Sequence, residues 1–288
     1  MMSRYDFWER DNCKMLTRLM ANPLFEYCLA PDIAKGEVFP AIRGRRIDFY
    51  VKGQKLFSFT GDSFQSNVAY LAAFEQRPRG EITEEQFRSM KVCRSFQEGY
   101  KQIKANLALY EKPESGGVFT LCKKFSSFKG GKSPSIAVLD IELSLESQDS
   151  GRSQDRIDLV LFHQTLKQLR FFEAKTLNNN EVWPRNGDVR VRGQIGRYSD
   201  QLRRRQQALL DGYRQYIRLM NTMCSVSLPE PAAIDTEVDL LLFGFTSQQQ
   251  STVETVLIPA FQNDFHCCLI GSTDRVTPAT LEKWWNNR

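Results

Sequence analysis

The sequence predicts an α/β protein, and three features carry that prediction. Hydrophobic residues make up 41% and charged residues 25% of 288, proportions suited to a chain that buries one large core or two modest ones. From Glu84 onward the elements read helix, three strands, helix, strand, and the hydrophobic period changes from helical steps to alternation after the loop Lys129-Gly-Gly-Lys-Ser-Pro134. Ahead of that order, the first 80 or so residues read as a separate N-terminal α+β region. The expected division is 1–80, a region for substrate or partner recognition, and 81–288.

In the N-terminal region a helical stretch covers Phe7–Met20. Strand-like runs follow at Glu37–Ile42, Arg46–Val51 and Lys55–Phe59, separated by the turn signals Arg43-Gly44 and Lys52-Gly53. Basic residues there interleave with Phe49, Tyr50, Phe57 and Phe59. Strand alternation alone produces such interleaving, so a small sheet with an aromatic core is expected ahead of a nucleic-acid-facing one. A helical pattern at Gln65–Phe74 is broken by Gln76-Arg-Pro-Arg-Gly80. Glu84–Tyr110 reads as a long helix with Val92, Phe96, Tyr100, Ile103, Leu107 and Tyr110 in one stripe, and Lys112-Pro-Glu-Ser-Gly-Gly117 stops it. Ile136–Leu145, Asp155–Phe162 and Leu169–Thr176 are the three strands. A helix from about Arg192 to Met223 follows, then a proline-containing linker at Ser227–Ala233. Strands at Glu237–Phe245 and Phe265–Ile270 and a helix at Pro278–Trp285 complete the order.

Several classes are set aside by composition. Charges begin at Arg4 with no apolar stretch behind them, so no secretory signal is expected. The most apolar segment, 239–246, is far shorter than the roughly 20 residues that span a bilayer as a helix. Seven cysteines, an odd number with no C-x-x-C, suit a reducing cytoplasm better than a disulfide framework. Two histidines make a zinc site a poor expectation. The net charge of +5 is modest, yet nine arginines face three acids between Arg185 and Arg218. Arg197, Arg203, Arg204 and Arg205 in that run are the expected nucleic-acid contacts, since a phosphate backbone rewards such a footprint.

The chemistry-bearing residues lie on the predicted strands. Glu173-Ala-Lys175 is the only acid-x-lysine triplet in the chain, and on a strand its two charged side chains share a face. A hairpin centred between Thr165 and Leu166 pairs Phe162 with Leu169, Val160 with Phe171, and Asp158 with Glu173. Directly opposed residues have Cβ atoms about 5 Å apart, where two carboxylates repel. A divalent cation removes that conflict and takes hard oxygen ligands. An adjacent ammonium stabilises charge developing on a phosphoryl group. Gln194-Ile-Gly-Arg-Tyr198 is the only Q-x-x-x-Y in the chain, and its two polar side chains lie one helical turn apart on a shared face.

Asp158, Glu173-Ala-Lys175 and Gln194-x-x-x-Tyr198 together resemble the PD-(D/E)xK phosphodiesterase superfamily, in its RecB-like and lambda-exonuclease-like branch. The match covers about Ile136 to Ile270, with Ile157 where the superfamily's name places proline. The resemblance implies a restriction-endonuclease-like core, a central mixed sheet flanked by helices. It implies a nuclease using one or two Mg2+ or Mn2+ ions on DNA, less often RNA, in restriction, defence or repair. Asp158, Glu173 and the backbone carbonyl of Ala174 would be metal ligands, Lys175 the catalytic lysine, and Gln194 and Tyr198 substrate-contacting or orienting groups. A protein partner or a homo-oligomer is compatible with it. The rival reading is a catalytically silent nucleic-acid-binding or scaffolding subunit that keeps the fold.

A third acid is open among Glu142, Asp140 and Glu98. If the loop between the first two strands is centred on Ser150, Glu142 stands opposite Asp158, and a bulge would bring in Asp140 instead. Glu98, on the helix before the sheet, lies about 160° from the apolar stripe at 100° per residue. Glu142 is the expected ligand.

Overall fold

The structure, a computed structural model, describes residues 10–71, 95–131, 133–145, 155–186, 188–261 and 264–287. The boundary expected at residue 80, the start of the first expected helix and residues 84–94 of the long one lie outside these. Helix α1 (Arg10–Met20) is followed by a π-helical turn, Phe25–Leu29, running into α2 (Ala30–Lys35), a stretch the sequence reading had not identified. The turn ends two residues before Pro31. A proline ring clashes with the carbonyl four residues back, and a widened turn relieves that clash.

Strands β1 (Phe39–Arg43), β2 (Arg46–Val51), β3 (Gln54–Phe59) and β4 (Phe64–Gln65) form an antiparallel sheet in that order. Lys52 and Gly53, at φ 50° and 71°, make the left-handed two-residue turn that joins β2 to β3. Phe49, Phe57 and Phe59 are buried against Phe64, with ring centroids 4.9–6.0 Å apart, so this sheet has the expected aromatic core. Phe64 and Gln65 are an edge strand instead of a helix start, and the helix there, α3, is Val68–Leu71.

The expected long helix is shorter where it is described: residues 95–99 are turns, and α4 is Tyr100–Leu107. The segment expected to stop it instead opens α5 (Pro113–Phe125). Pro113 sits in the first turn, where no N–H is needed, and Glu114 beside it suits the positive end of the helix. Gly117 lets α5 approach the large sheet, since a Cβ there would lie 2.2 Å from the Phe243 ring.

The large sheet is mixed and has the order β5-β6-β7-β8-β9. β5 (Ile136–Leu145), β6 (Asp155–His163) and β7 (Gln168–Thr176) are antiparallel, while β8 (Ala233–Phe243) and β9 (Cys267–Leu269) add in parallel. Helix α6 (Arg190–Cys224), 35 residues long, makes the crossover that the parallel β7–β8 pair requires. The expected linker ends where β8 begins, at Ala233. Beyond β8, α7 (Ser247–Thr252) is followed by a second π-helical turn, Val253–Leu257, again two residues before a proline, Pro259. The terminal helix α8 (Pro278–Asn286) docks on β7, where the Arg170 guanidinium lies 4.4 Å over the Trp285 ring.

Arg43 joins the two sheets. Its guanidinium bonds both carboxylate oxygens of the fully buried Asp140, at 2.9 and 3.2 Å, and one apolar core runs through both layers. Among the described residues no helix is long and apolar enough to cross a membrane.

Candidate active site

Strand register decides which acids meet. β6 and β7 pair Phe162 with Leu169, Val160 with Phe171 and Leu159 with Phe172, so the next position sets Asp158 against Glu173. β5 and β6 shift by one residue between Val138 and Asp140, then pair Ile141 with Leu159 and Leu143 with Ile157. That register brings Glu142 opposite Asp158 from the other side. Glu142 holds φ at 53°, a left-handed conformation inside a strand that costs about 1–3 kcal/mol for a residue with a Cβ.

Asp158 lies close enough to Glu173 for its charge to act on the Glu173 carboxyl. The Ala174 N–H donates to Asp158 Oδ2 at 2.9 Å. Burial pushes Asp158 up to about 6 against that bond, and the charges of Glu142 and Glu114 add to the rise. Glu173 is 1% exposed and is raised well above its ordinary value by burial and by Asp158. Its Oε1 accepts from Lys175 Nζ at 2.8 Å, while Oε2 is buried with no hydrogen-bond partner. Lys175 Nζ also meets Glu181 Oε2 at 2.8 Å; burial opposes its charge, but these two carboxylates outweigh it and hold the ammonium protonated.

The first turns of α6 close the site from above the sheet. Gln194 Nε2 donates to the Tyr198 hydroxyl at 2.8 Å, and burial raises that hydroxyl to about 12, with the Glu173 charge adding to the rise. The structure therefore brings together Asp158, Glu173, Ala174, Lys175, Gln194, Tyr198 and Glu142. Asp140 is taken by Arg43 and by the Tyr213 hydroxyl, and Glu98 is an exposed residue before α4 that lines neither cleft at the site.

Sequence reasoning missed Glu114. On the first turn of α5, it lines a cleft of about 440 Å3 together with Asp158, Glu142 and Arg156. Its Oε1 accepts from the Asn179 side chain at 2.6 Å and from Thr176 N–H at 3.3 Å. The signal existed, since proline followed by an acid marks a helix start as readily as proline and glycine mark a break.

The arginine run is not gathered at this site. Arg203 is bonded to Glu237 and Asp200, Arg205 to Gln201 and Arg197 to the Gly193 carbonyl. None of Arg197, Arg203, Arg204 and Arg205 lines either cleft.

A divalent cation fits the donor set in one respect and meets a cost in another. Two facing carboxyls with a buried, unpartnered oxygen are what a hard cation would satisfy. Yet among the described residues no three acidic, histidine or cysteine side chains form a ready cage. Lys175 holds Glu173, Arg156 holds Glu142 at 2.6 Å, and Asn179 holds Glu114. Comparison of the chain with protein-family models, with curated proteins and with solved structures gives no match.

Proposed function

We propose that this chain is a divalent-metal-dependent phosphodiesterase that hydrolyses nucleic acid, DNA ahead of RNA, on a restriction-endonuclease-like core of the PD-(D/E)xK type. The observation that carries the reading is the row of Glu142, Asp158 and Glu173 across three neighbouring strands, with Lys175 bonded to Glu173. Carboxyls placed in direct opposition and pushed upward destabilise the fold unless a cation or a proton offsets their charge. Asp158, Glu173 and the Ala174 carbonyl would hold Mg2+ or Mn2+, with Glu142 or Glu114 as the further acid. Bound there, the ion supplies Lewis acidity and a more acidic water.

The chain's own groups do the rest. Lys175, kept as an ammonium by Glu173 and Glu181, stabilises negative charge building on the phosphoryl oxygens and is no general base. Tyr198, with its proton retained and Gln194 fixing its oxygen, orients Glu173 or a phosphate oxygen by hydrogen bonding. Arg156 and Asn179 hold Glu142 and Glu114 at the cleft wall until substrate and ion compete for them. A restriction, defence or repair setting is part of the proposal.

The rival reading, a silent binding or scaffolding subunit, is favoured by the donors that already engage Glu173, Asp158, Glu142 and Glu114. Incubation with linear and circular DNA and with RNA, each with Mg2+, Mn2+ or EDTA, separates the two. Cleavage is expected only with metal. Lys175→Ala should lower it at least 10²-fold. Glu142→Gln and Glu114→Gln should each lower it, and Glu98→Gln should leave it unchanged. Cutting in EDTA, or a Lys175→Ala protein working at the wild-type rate, sinks the assignment.

A further inference from the structure

A second cleft lies beside the carboxylate row, not over it. Its volume is about 590 Å3, and it runs between the four-stranded sheet and the β5–β6 side of the large one. Lys112, Ser115, Glu142 and Arg156 line both this cleft and the one beside Asp158, so the two form one continuous groove. Three of its cations are already spoken for: Arg43 by Asp140, Arg46 by Asp48 and Arg156 by Glu142. Lys55, from β3, and Lys112, from the residue before α5, are exposed, and among the described residues no carboxylate pairs with either. A groove with low-dielectric walls and surplus positive charge concentrates a polyanion.

We infer that this groove seats a single nucleic-acid strand next to the carboxylate row, with Lys55 and Lys112 each neutralising a backbone phosphate. The inference rests on the phosphodiesterase reading for its direction and gives the N-terminal sheet its role as one wall of the substrate track. A cleft of this volume is the size that takes a molecule of a few hundred daltons. It therefore has room for one or two nucleotides of a single strand.

The test uses the full chain with Asp158→Asn, so that binding is measured without cutting. The affinity for a labelled, mixed-sequence single-stranded oligodeoxynucleotide is followed against salt concentration. Each phosphate neutralised on a single strand contributes about 0.7 to the slope of log affinity against log salt. Adding Lys55→Gln and Lys112→Gln should weaken binding and reduce the slope by about 1.4. Adding Lys14→Gln and Lys283→Gln instead, at exposed positions outside the groove, should leave it as it was. An unchanged slope in the groove variant, an equal loss in the control, or no binding by the parent overturns the inference. A cleavage assay on the chain with Asp158 intact is scored separately. Cutting with a lysine-independent slope removes the groove and spares the phosphodiesterase; a lysine-dependent slope without cutting does the reverse.

Discussion

Asp158, half-buried at the cleft, stands at about 6 against an ordinary 3.8, chiefly through desolvation. A carboxyl whose value is raised on folding binds its proton more tightly in the native state than in the unfolded one. Its contribution to stability is therefore complete below pH 4 and is lost as pH rises through about 6. Glu173 is shifted in the same direction, so the metal-free protein should lose stability between mildly acidic and neutral pH. Asp158→Asn removes the charge yet keeps an oxygen to accept the Ala174 N–H. At pH 7.5 in EDTA that variant should be more stable than wild type by on the order of 1–3 kcal/mol. It should also show a smaller rise in melting temperature when Mn2+ is added. Thermal melts across pH 4–8 check both, and a variant less stable than wild type in EDTA would show that the two acids are not in conflict.

Helix α5 carries the contrast between what could and could not be read in advance. The Asp158–Glu173 pairing was legible because a hairpin's register follows from its own short turn and from apolar residues alternating on either side. The Glu142 pairing was legible too, although the bulge after Val138 means that the register holds only from Asp140 onward. Glu114 was not, because proline and two glycines within five residues describe a break as well as a helix start. Only packing decides between them, and here Gly117 is required by the Phe243 ring of a strand more than a hundred residues away. Gly117→Ala places a methyl into that ring, and overpacking by about 1–3 kcal/mol exceeds the gain of at most about 1 kcal/mol from better helix propensity. Gly116→Ala meets only the Glu111 side chain, a half-exposed group held by one ion pair to Lys52, and should be neutral or slightly stabilising. Denaturant unfolding of the two variants tests the contrast, which fails if Gly117→Ala is as stable as Gly116→Ala. Loss of cleavage by Gly117→Ala, through displacement of Glu114, would follow from the same contact.

Across the whole molecule, the charges that matter are set by contacts distant in sequence. The arginine-rich stretch looked in excess because several of its partners lie outside it: Glu230 for Arg218, Glu237 for Arg203, Asp264 for Arg192. The tie between the two sheets was equally hidden, since nothing near Arg43 announces Asp140. Arg43→Met would leave that carboxylate buried with the Tyr213 hydroxyl and the Ile141 N–H for partners, at a cost of about 3–5 kcal/mol. Arg43→Met combined with Asp140→Leu should recover much of that loss. Equilibrium unfolding of the singles and the double measures it, and a cost below about 1 kcal/mol for Arg43→Met would remove the tie from the account. The strand order has a consequence in time as well. The β6–β7 hairpin, with Asp158 and Glu173 on it, closes from neighbouring residues, but the other edge of β7 is covered only by β8, beyond the 35 residues of α6. Local pairing is fast and a parallel partner this remote is slow. During synthesis the acid-bearing hairpin therefore exists first with an open edge, and until residues 233–243 emerge that edge is free to pair with another nascent copy.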